Sequence, residues 1–196
     1  MVLIPNGFDT SVFHPDEGAR DWLLQTLGLP DDVRLIGLIA RYDLMKDQPN
    51  FLRAAGILAE REPAAHFVMV GRGVVPENRD LTCFIPAGLE KRVHLLGQRN
   101  DVAHIAAGLD IAASSSAFGE GFSNTIGEAM ACGVPVLAYR VGGLPEVVEM
   151  GGGGRLYPAG DWEALAAGAI DLLGDEEDRK LLAGRARKAA AERFSE

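Results

Sequence analysis

Short apolar segments alternate along this chain with longer segments in which apolar residues recur every three or four positions. The short segments end at glycine or polar residues, as strands do where they pass into turns. Six of them are predicted strands: 34–40, 66–71, 93–97, 110–114, 134–139 and 154–157. The segments 35–40 and 67–70 are almost continuously apolar, which is typical of strands buried on both faces of a parallel sheet.

The longer segments are predicted helices. Asp47 can cap a helix that buries Phe51 and Leu58, and Asp161 can cap another that reaches Leu173. Further helices are predicted at 101–108, 124–132 and 176–192. This alternation predicts an α/β domain: a doubly wound, Rossmann-like parallel sheet of about six strands with helices on both faces. Ligands of such domains bind beyond the carboxyl ends of the strands, so functional residues are expected there.

The bulk composition is that of one soluble domain, and we assign residues 1–196 to it. Hydrophobic residues make up 47% of the chain and charged residues 24%, without an apolar stretch of about 18 residues that could span a bilayer. The net charge of −9 argues against general nucleic-acid binding. Cys83 and Cys132 form no metal or disulfide motif, and the first residues do not resemble a signal peptide, so a reducing cytoplasm is expected.

Two cations follow the first predicted strand in a single loop. Arg41 lies at the end of the strand and Lys46 directly before a helix, so both are expected to face the ligand crevice. An arginine fork together with a lysine point charge suits a diphosphate, although each residue alone could be an ordinary surface charge. After the second strand, Gly71 and Gly73 offer a backbone that a ligand can approach closely, or simply a turn.

The densest pattern follows the fourth strand, at 118–130. Backbone amides at the start of the next helix can cradle an anion, and the candidates are Gly121, Phe122, Ser123 and Asn124. The carboxylates of Glu120 and Glu128 border this cradle, where they would disfavour phosphate unless other groups donated hydrogen bonds to them. Sugar hydroxyls are such donors. The pair therefore indicates a polyhydroxyl ligand that carries phosphate. The alternative is that both glutamates are ordinary surface charges.

This region resembles the signature of family 4 glycosyltransferases with the GT-B fold. The resemblance rests on Glu120-x7-Glu128 with the residues that follow it to 136, and on the Gly-Gly-Leu-Pro-Glu run at 142–146. It extends from 4–9 to 192–195. It implies that the chain is the nucleotide-sugar-binding, C-terminal half of such an enzyme, and that the N-terminal acceptor domain is absent.

The resemblance also implies roles for individual residues. Arg41 and Lys46 would bind the donor diphosphate and Glu120 would contact the transferred sugar, and these three are the catalytic candidates. Glu128 would hold the ribose hydroxyls. The backbone amides of residues 121–124 would contact the sugar and the phosphate, and the segment from Gly97 to Arg99 would border the base. One departure lies in the phosphate loop, where Asp47 occupies a position at which the family often has glycine.

The predicted activity is transfer of a hexosyl-type sugar from a nucleotide diphosphate sugar, with the retention of configuration that the resemblance implies. No Asp-x-Asp triplet occurs and the four histidines lack metal-ligand spacing, so neither a metal nor another cofactor is expected. Two alternatives stay open: an epimerase of GT-B architecture that converts the donor alone, and a stand-alone nucleotide-sugar-binding module. The expected partners are the donor and the missing domain, with association at the inner face of the membrane only through that domain.

Overall fold

The computed structural model of the chain describes residues 9–121 and 123–193. Most of the segment 4–9, the end of the resemblance at 194–195 and the candidate Phe122 lie outside the described residues. The predictions for Phe122 and for these two segments therefore stay predictions.

Six parallel strands form one sheet, as the pattern predicted. They are β1 (Arg34–Ile39), β2 (Ala65–Val70), β3 (Val93–Leu95), β4 (Ile111–Ser114), β5 (Val136–Tyr139) and β6 (Gly154–Tyr157). Their order across the sheet is β3-β2-β1-β4-β5-β6, and Ile36 of β1 pairs with Phe67 on one side and Ile111 on the other. Because the chain moves outward in both directions from the β1–β4 pair, a crevice opens between the loops that follow these two strands.

Eight α-helices connect the strands or follow them in the described part of the chain. They are α1 (Ala19–Leu27), α2 (Gln48–Arg61), α3 (Arg79–Thr82), α4 (Val102–Ala107), α5 (Asn124–Ala131), α6 (Leu144–Gly151), α7 (Trp162–Gly174) and α8 (Glu176–Arg193). The predicted helices correspond to α2, α4, α5, α7 and α8. The hydrophobic pattern did not single out α1, α3 or α6, nor a short 3₁₀ turn at Leu44–Lys46.

The sheet carries a hydrophobic core on each face. Side chains from α1, α4, α5 and α6 pack on one face, and side chains from α2, α3 and α7 pack on the other. Helix α8 contributes to both cores, with Ala186 on the first face and Leu182 on the second. Helices on both faces explain why the strands are apolar in nearly every position, and they confirm the doubly wound class.

The second and third strands end slightly earlier than predicted. Gly71 has φ 150° and Gly97 has φ 65°, so each lies in a turn rather than in β2 or β3. A Cβ atom at Gly71 would lie 2.1 Å from the carbonyl oxygen of Ala40. Glycine is therefore needed at Gly71 because the loops after β1 and β2 pass each other at backbone distance.

Asp47 adopts the left-handed backbone conformation, with φ 48° and ψ 50°. No other described residue except glycine has a positive φ. Aspartate tolerates this conformation better than most residues. Its carboxylate accepts hydrogen bonds from the backbone N and the side-chain Nδ2 of Asn50, at 3.4 and 2.6 Å, and so caps α2 as predicted. Asp47 thus takes the conformation that glycine would supply and adds a cap.

Candidate functional site

The loops after β1 and β4 meet at the point where the strand order diverges. A small pocket lies between them, and its lining includes Lys46 from the first loop, Ser115 and Ser116 directly after β4, and Ser123 and Thr125 at the start of α5. All of these residues lie beyond the carboxyl ends of the strands or at the start of the following helix. The structure therefore places a polar pocket where the alternating pattern predicted a ligand site.

Lys46, which lines this pocket, forms an ion pair with Glu120. Nζ of Lys46 lies 2.6 Å from Oε2 of Glu120, and the two side chains are 15% and 6% exposed. The hydroxyl of Ser116 donates a second hydrogen bond to the same oxygen, at 2.7 Å. A pair so well shielded from water interacts more strongly than one on the surface, and removal of either partner leaves the other as an uncompensated buried charge.

Hydrogen bonds fix the shape of the loop that carries the two cations. The carboxylate of Asp43 accepts from the backbone N of Met45 at 2.9 Å and from Nε of Arg41 at 3.1 Å. These two bonds, the first above all, hold the pKa of Asp43 below its ordinary value. Nε2 of the buried Gln48 donates to the carbonyl oxygen of Arg41 at 2.7 Å. Arg41 is half exposed and lies on this loop, but its recorded ion pair is with Asp43 and not with the Lys46–Glu120 pair.

The backbone of Glu120 is held from the loop between β5 and α6. The backbone N of Gly143 donates to the carbonyl oxygen of Glu120 at 2.8 Å. Gly142 has φ 52°, and a Cβ atom there would lie 1.8 Å from the same oxygen. The two glycines of the motif at 142–146 therefore allow two loops to touch, and this contact positions the start of the Glu120-x7-Glu128 segment.

Helix α5 carries the second carboxylate of the signature. Ser123 precedes the helix and makes no side-chain cap to its amides. Glu128 lies one turn beyond Asn124 and is half-buried, and burial raises the pKa of its carboxyl group. Among the described residues, none donates a hydrogen bond to that carboxylate. Glu128 is thus a partly desolvated acceptor close to the helix start that was predicted to bind an anion.

The candidates after β2 lie beside the loop after β1, and those after β3 lie farther along the carboxyl edge, since β2 separates β3 from β1. The backbone N of Gly71 donates to the carbonyl oxygen of Gly97 at 2.8 Å, and Gly73 has φ 80°. Arg99 forms a two-point ion pair with Asp101, with Nε–Oδ1 and Nη2–Oδ2 distances of 2.8 and 2.5 Å. Arg99 therefore has a fixed partner in this structure and is not part of the Lys46–Glu120 cluster.

Sequence reasoning missed the polar residues that support the cluster. Ser115, Ser116 and Gln48 are fully or almost fully buried, and Asp43 caps the 3₁₀ turn before Lys46. A signal was present: three serines in succession, 114–116, begin at the last residue of β4, and buried hydroxyl groups of this kind need hydrogen-bond partners. Buried hydroxyls at a strand end need hydrogen-bond partners, and here the partners are the candidate site residues.

Other polar groups lie away from this pocket. Nδ1 of His66 and Nε2 of His94 are 3.0 Å apart on β2 and β3, and burial lowers both pKa values, that of His94 to about 4. Over the ranges 9–121 and 123–193, no three or more His, Cys, Asp or Glu side chains cluster as a metal site would require. Within the same ranges, no helix is both long and apolar enough to cross a membrane.

Comparison with known sequences gives a family match over most of the chain. The family model for glycosyl transferases group 1 matches residues 20–189. The N-acetyl-alpha-D-glucosaminyl L-malate synthase of Bacillus anthracis is 34% identical over 174 residues, which make up 88% of this chain and 44% of that protein. The chain spans about half the length of the curated relatives it matches.

Comparison with solved structures gives the same result. Anabaena Alr3699/HepE in complex with UDP-glucose superposes with a TM-score of 0.84 at 31% identity, over 96% of this chain and 52% of that one. The C-terminal domain of a glycosyl transferase group 1 family protein (LpcC) from Francisella tularensis superposes with a TM-score of 0.83 at 25% identity, over 96% of this chain and 99% of that one. The chain therefore belongs to the group 1 glycosyltransferases and corresponds to the C-terminal domain of their GT-B fold.

Proposed function

We propose that this chain is the donor-binding domain of a retaining glycosyltransferase that transfers a hexosyl-type sugar from a nucleotide diphosphate sugar. The observation that carries the proposal is the buried Lys46–Glu120 pair between the β1 and β4 loops. A cation for phosphate and an acceptor for hydroxyls lie side by side, which is what a ligand with both groups requires. The Anabaena structure in complex with UDP-glucose supports a ligand of this class.

The diphosphate binds to Arg41, Lys46 and the first amides of α5. Arg41 is half exposed and its loop is braced by Asp43 and Gln48, so it can turn to a ligand without refolding the loop. Lys46 exchanges part of its contact with Glu120 for a contact with phosphate. Preorganised cations and amides also stabilise the charge that develops on the leaving diphosphate, so the proposal includes no metal and no other cofactor.

The two carboxylates bind hydroxyl groups at separate points of the donor. Glu120 accepts from the transferred sugar, and Glu128 accepts from the ribose, which gives its desolvated carboxylate the partner it lacks among the described residues. The segment from Gly97 to Arg99 borders the base, and the backbone at Gly71, Gly73, Gly121, Ser123 and Asn124 approaches phosphate and sugar. Glu120 is not the nucleophile in this proposal, because one of its oxygens already accepts from Lys46 and Ser116.

The acceptor binds to a further domain that this chain does not contain. In support, the relatives are about twice as long as the chain. Transfer requires an acceptor hydroxyl held at near-attack distance, and such positioning contributes about 7 to 11 kcal/mol. The chain alone is therefore expected to bind donor without transferring sugar. The names of the relatives do not favour the epimerase alternative.

Ligand-binding calorimetry tests the proposal. Wild-type chain is titrated with UDP, GDP and ADP, and with UDP-glucose, UDP-N-acetylglucosamine, GDP-mannose and ADP-glucose, in the presence of EDTA. At least one pair of nucleoside diphosphate and nucleotide sugar is expected to bind, and Lys46→Ala is expected to abolish most of that binding. Lys91→Ala is the matched control, because Lys91 is an exposed lysine outside the pocket. Failure of every compound to bind wild type, or equal loss in both variants, would contradict the proposal.

A further inference from the structure

Two adjacent serines after β4 hold two different loops of the candidate site. The hydroxyl of Ser115 donates to the backbone carbonyl oxygen of Lys46 at 2.8 Å. The hydroxyl of Ser116 donates to Oε2 of Glu120 at 2.7 Å. Both serines are buried, with exposures of 0% and 1%. Neighbouring side chains of one strand end therefore reach the loop after β1 in one case and the loop before α5 in the other.

The hydrogen bond from Ser116 has a preferred direction. The hydroxyl of Ser114 donates to Oγ of Ser116 at 3.3 Å, which occupies a lone pair of that oxygen and leaves the Ser116 proton for Glu120. Among the described residues, Ser116 and Lys46 donate hydrogen bonds to the carboxylate of Glu120, and both bonds go to Oε2. Oε1 accepts no hydrogen bond from a described residue, and it is the oxygen left to accept from a ligand hydroxyl.

The two bonds to Oε2 respond differently to a ligand. Lys46 carries a full charge on a flexible side chain and is attracted to any phosphate in the pocket, so its contact with Glu120 weakens when a diphosphate binds. Ser116 is uncharged and fully buried directly after β4, so a phosphate does not attract it and its contact persists. When the donor is bound, the orientation of Glu120 depends mainly on Ser116.

We propose that Ser116 is a positioning residue for Glu120, and that Ser115 is a positioning residue for Lys46. Each hydroxyl then governs recognition of a different part of the donor: Ser116 the transferred sugar and Ser115 the diphosphate. This inference rests on the proposed function, because it assigns the sugar to Glu120 and the diphosphate to Lys46. A purely structural role for Ser116 would instead make Ser116→Ala weaken both ligands alike.

The test compares Ser116→Ala with Ser115→Ala by calorimetry, using the nucleoside diphosphate and nucleotide sugar that bind wild type. Ser116→Ala is expected to weaken the nucleotide sugar about tenfold and to leave the nucleoside diphosphate within about twofold of wild type, since a hydrogen bond to a charged group is lost only at the sugar contact. Ser115→Ala is expected to weaken both ligands by similar factors. Equal loss of both ligands in Ser116→Ala, or no loss in either variant, would overturn the inference.

A second pair of variants separates the hydroxyl from the packing. Ser116→Thr keeps the hydroxyl and Ser116→Val has the same shape without it, so any clash of the added methyl group affects both equally. We expect Ser116→Thr to bind the nucleotide sugar about tenfold more tightly than Ser116→Val, at equal affinity for the nucleoside diphosphate. Equal sugar affinities would overturn the inference while the proposed function stands. Failure of wild type to bind any nucleotide would overturn both.

Discussion

The two carboxylates of one signature lie in opposite environments, although they are separated by a single loop and one helical turn. Glu120 is almost fully buried and receives hydrogen bonds from Lys46 and Ser116. Glu128 is half-buried, has no hydrogen-bond donor among the described residues and has a raised pKa. Glu120 is thus preorganised by the protein, whereas Glu128 obtains its partner from a ligand. The β4 end of the site is assembled in advance, and the α5 end is completed by binding.

The largest expected effect is at the loop after β1, which carries Arg41 and the Lys46 that pairs with the preorganised Glu120. Arg41→Ala combined with Lys46→Ala is expected to weaken nucleoside-diphosphate binding by roughly 10²- to 10⁴-fold, since each charge-assisted hydrogen bond contributes about 1.5 to 3 kcal/mol. Calorimetry measures the change. The double variant Lys91→Ala with Lys180→Ala removes the same charge from exposed positions and controls for the altered net charge. Unchanged affinity in the Arg41–Lys46 variant would remove both residues from the phosphate site.

Two isosteric substitutions distinguish the roles of the two carboxylates. Glu120→Gln is expected to weaken the nucleotide sugar by about tenfold or more with little effect on the nucleoside diphosphate, and Glu128→Gln to weaken both ligands by similar factors. In the absence of ligand, the two substitutions are expected to change the Tm in opposite directions. Glu120→Gln leaves the buried Lys46 without its counter-charge and lowers the Tm, whereas Glu128→Gln removes a partly desolvated charge and raises the Tm.

Calorimetry and thermal unfolding of the same two preparations test this contrast. Glu163→Gln on α7 is a control for loss of one carboxylate, because Glu163 is exposed and α7 packs on the opposite face of the sheet from α5. If Glu120→Gln weakened the nucleoside diphosphate as much as the nucleotide sugar, the roles of the two carboxylates would have to be exchanged or abandoned.

The fold was predictable from the sequence because its signals are local. Continuous apolar runs such as 35–40 identified buried parallel strands, and Asp47 and Asp161 marked helix starts that the structure confirms. Helix α6 was not predicted, because Gly151 and Pro145 interrupt its pattern and the motif at 142–146 was interpreted only through its resemblance. The predicted strands 66–71 and 93–97 extended to Gly71 and Gly97, which the structure places in turns after β2 and β3.

The cluster around Glu120 was only half predictable. Residue type and position at strand ends selected Lys46 and Glu120 as candidates, and the structure brings them within hydrogen-bond distance. Their supports were not predictable, because the contact from Ser116 to Glu120 and the contact from Gly143 depend on how three loops pack together. The periodicity of a sequence predicts helices and strands, but it does not predict the distance between loops that are far apart in the chain.

A smaller effect is expected from the loop that joins Lys46 to α2. Asp47→Ala removes the cap of α2 and forces a Cβ-bearing residue without a compensating hydrogen bond into the left-handed conformation, so the free energy of unfolding should fall by about 2 kcal/mol. Asp47→Gly loses the cap but keeps the conformation, and is expected to cost about 1 kcal/mol or less. Urea denaturation measures both. A larger loss for glycine than for alanine would show that the left-handed conformation is not required here.

The smallest effect concerns the pH dependence of stability, which follows from the raised pKa of Glu128. A group whose pKa is higher in the folded state stabilises the fold while it is protonated, so its contribution is present below the unfolded value of 4.5 and is lost as the pH rises through the folded value. His66 and His94 act in the opposite direction. Their folded pKa values are lowered from 6.5, that of His94 to about 4, so their contribution is present above 6.5 and is lost as the pH falls through the folded values.

The two effects overlap between about pH 4 and 6.5, and only a difference measurement resolves them. The free energy of unfolding of Glu128→Gln minus that of wild type is therefore expected to increase as the pH rises through this window, because only wild type loses the contribution. Urea denaturation at several pH values, repeated for both proteins in the background of His66→Gln with His94→Gln, measures this difference. A difference that does not change with pH in either background would mean that Glu128 is as well solvated as an exposed glutamate, and the distinction between the two carboxylates would fail.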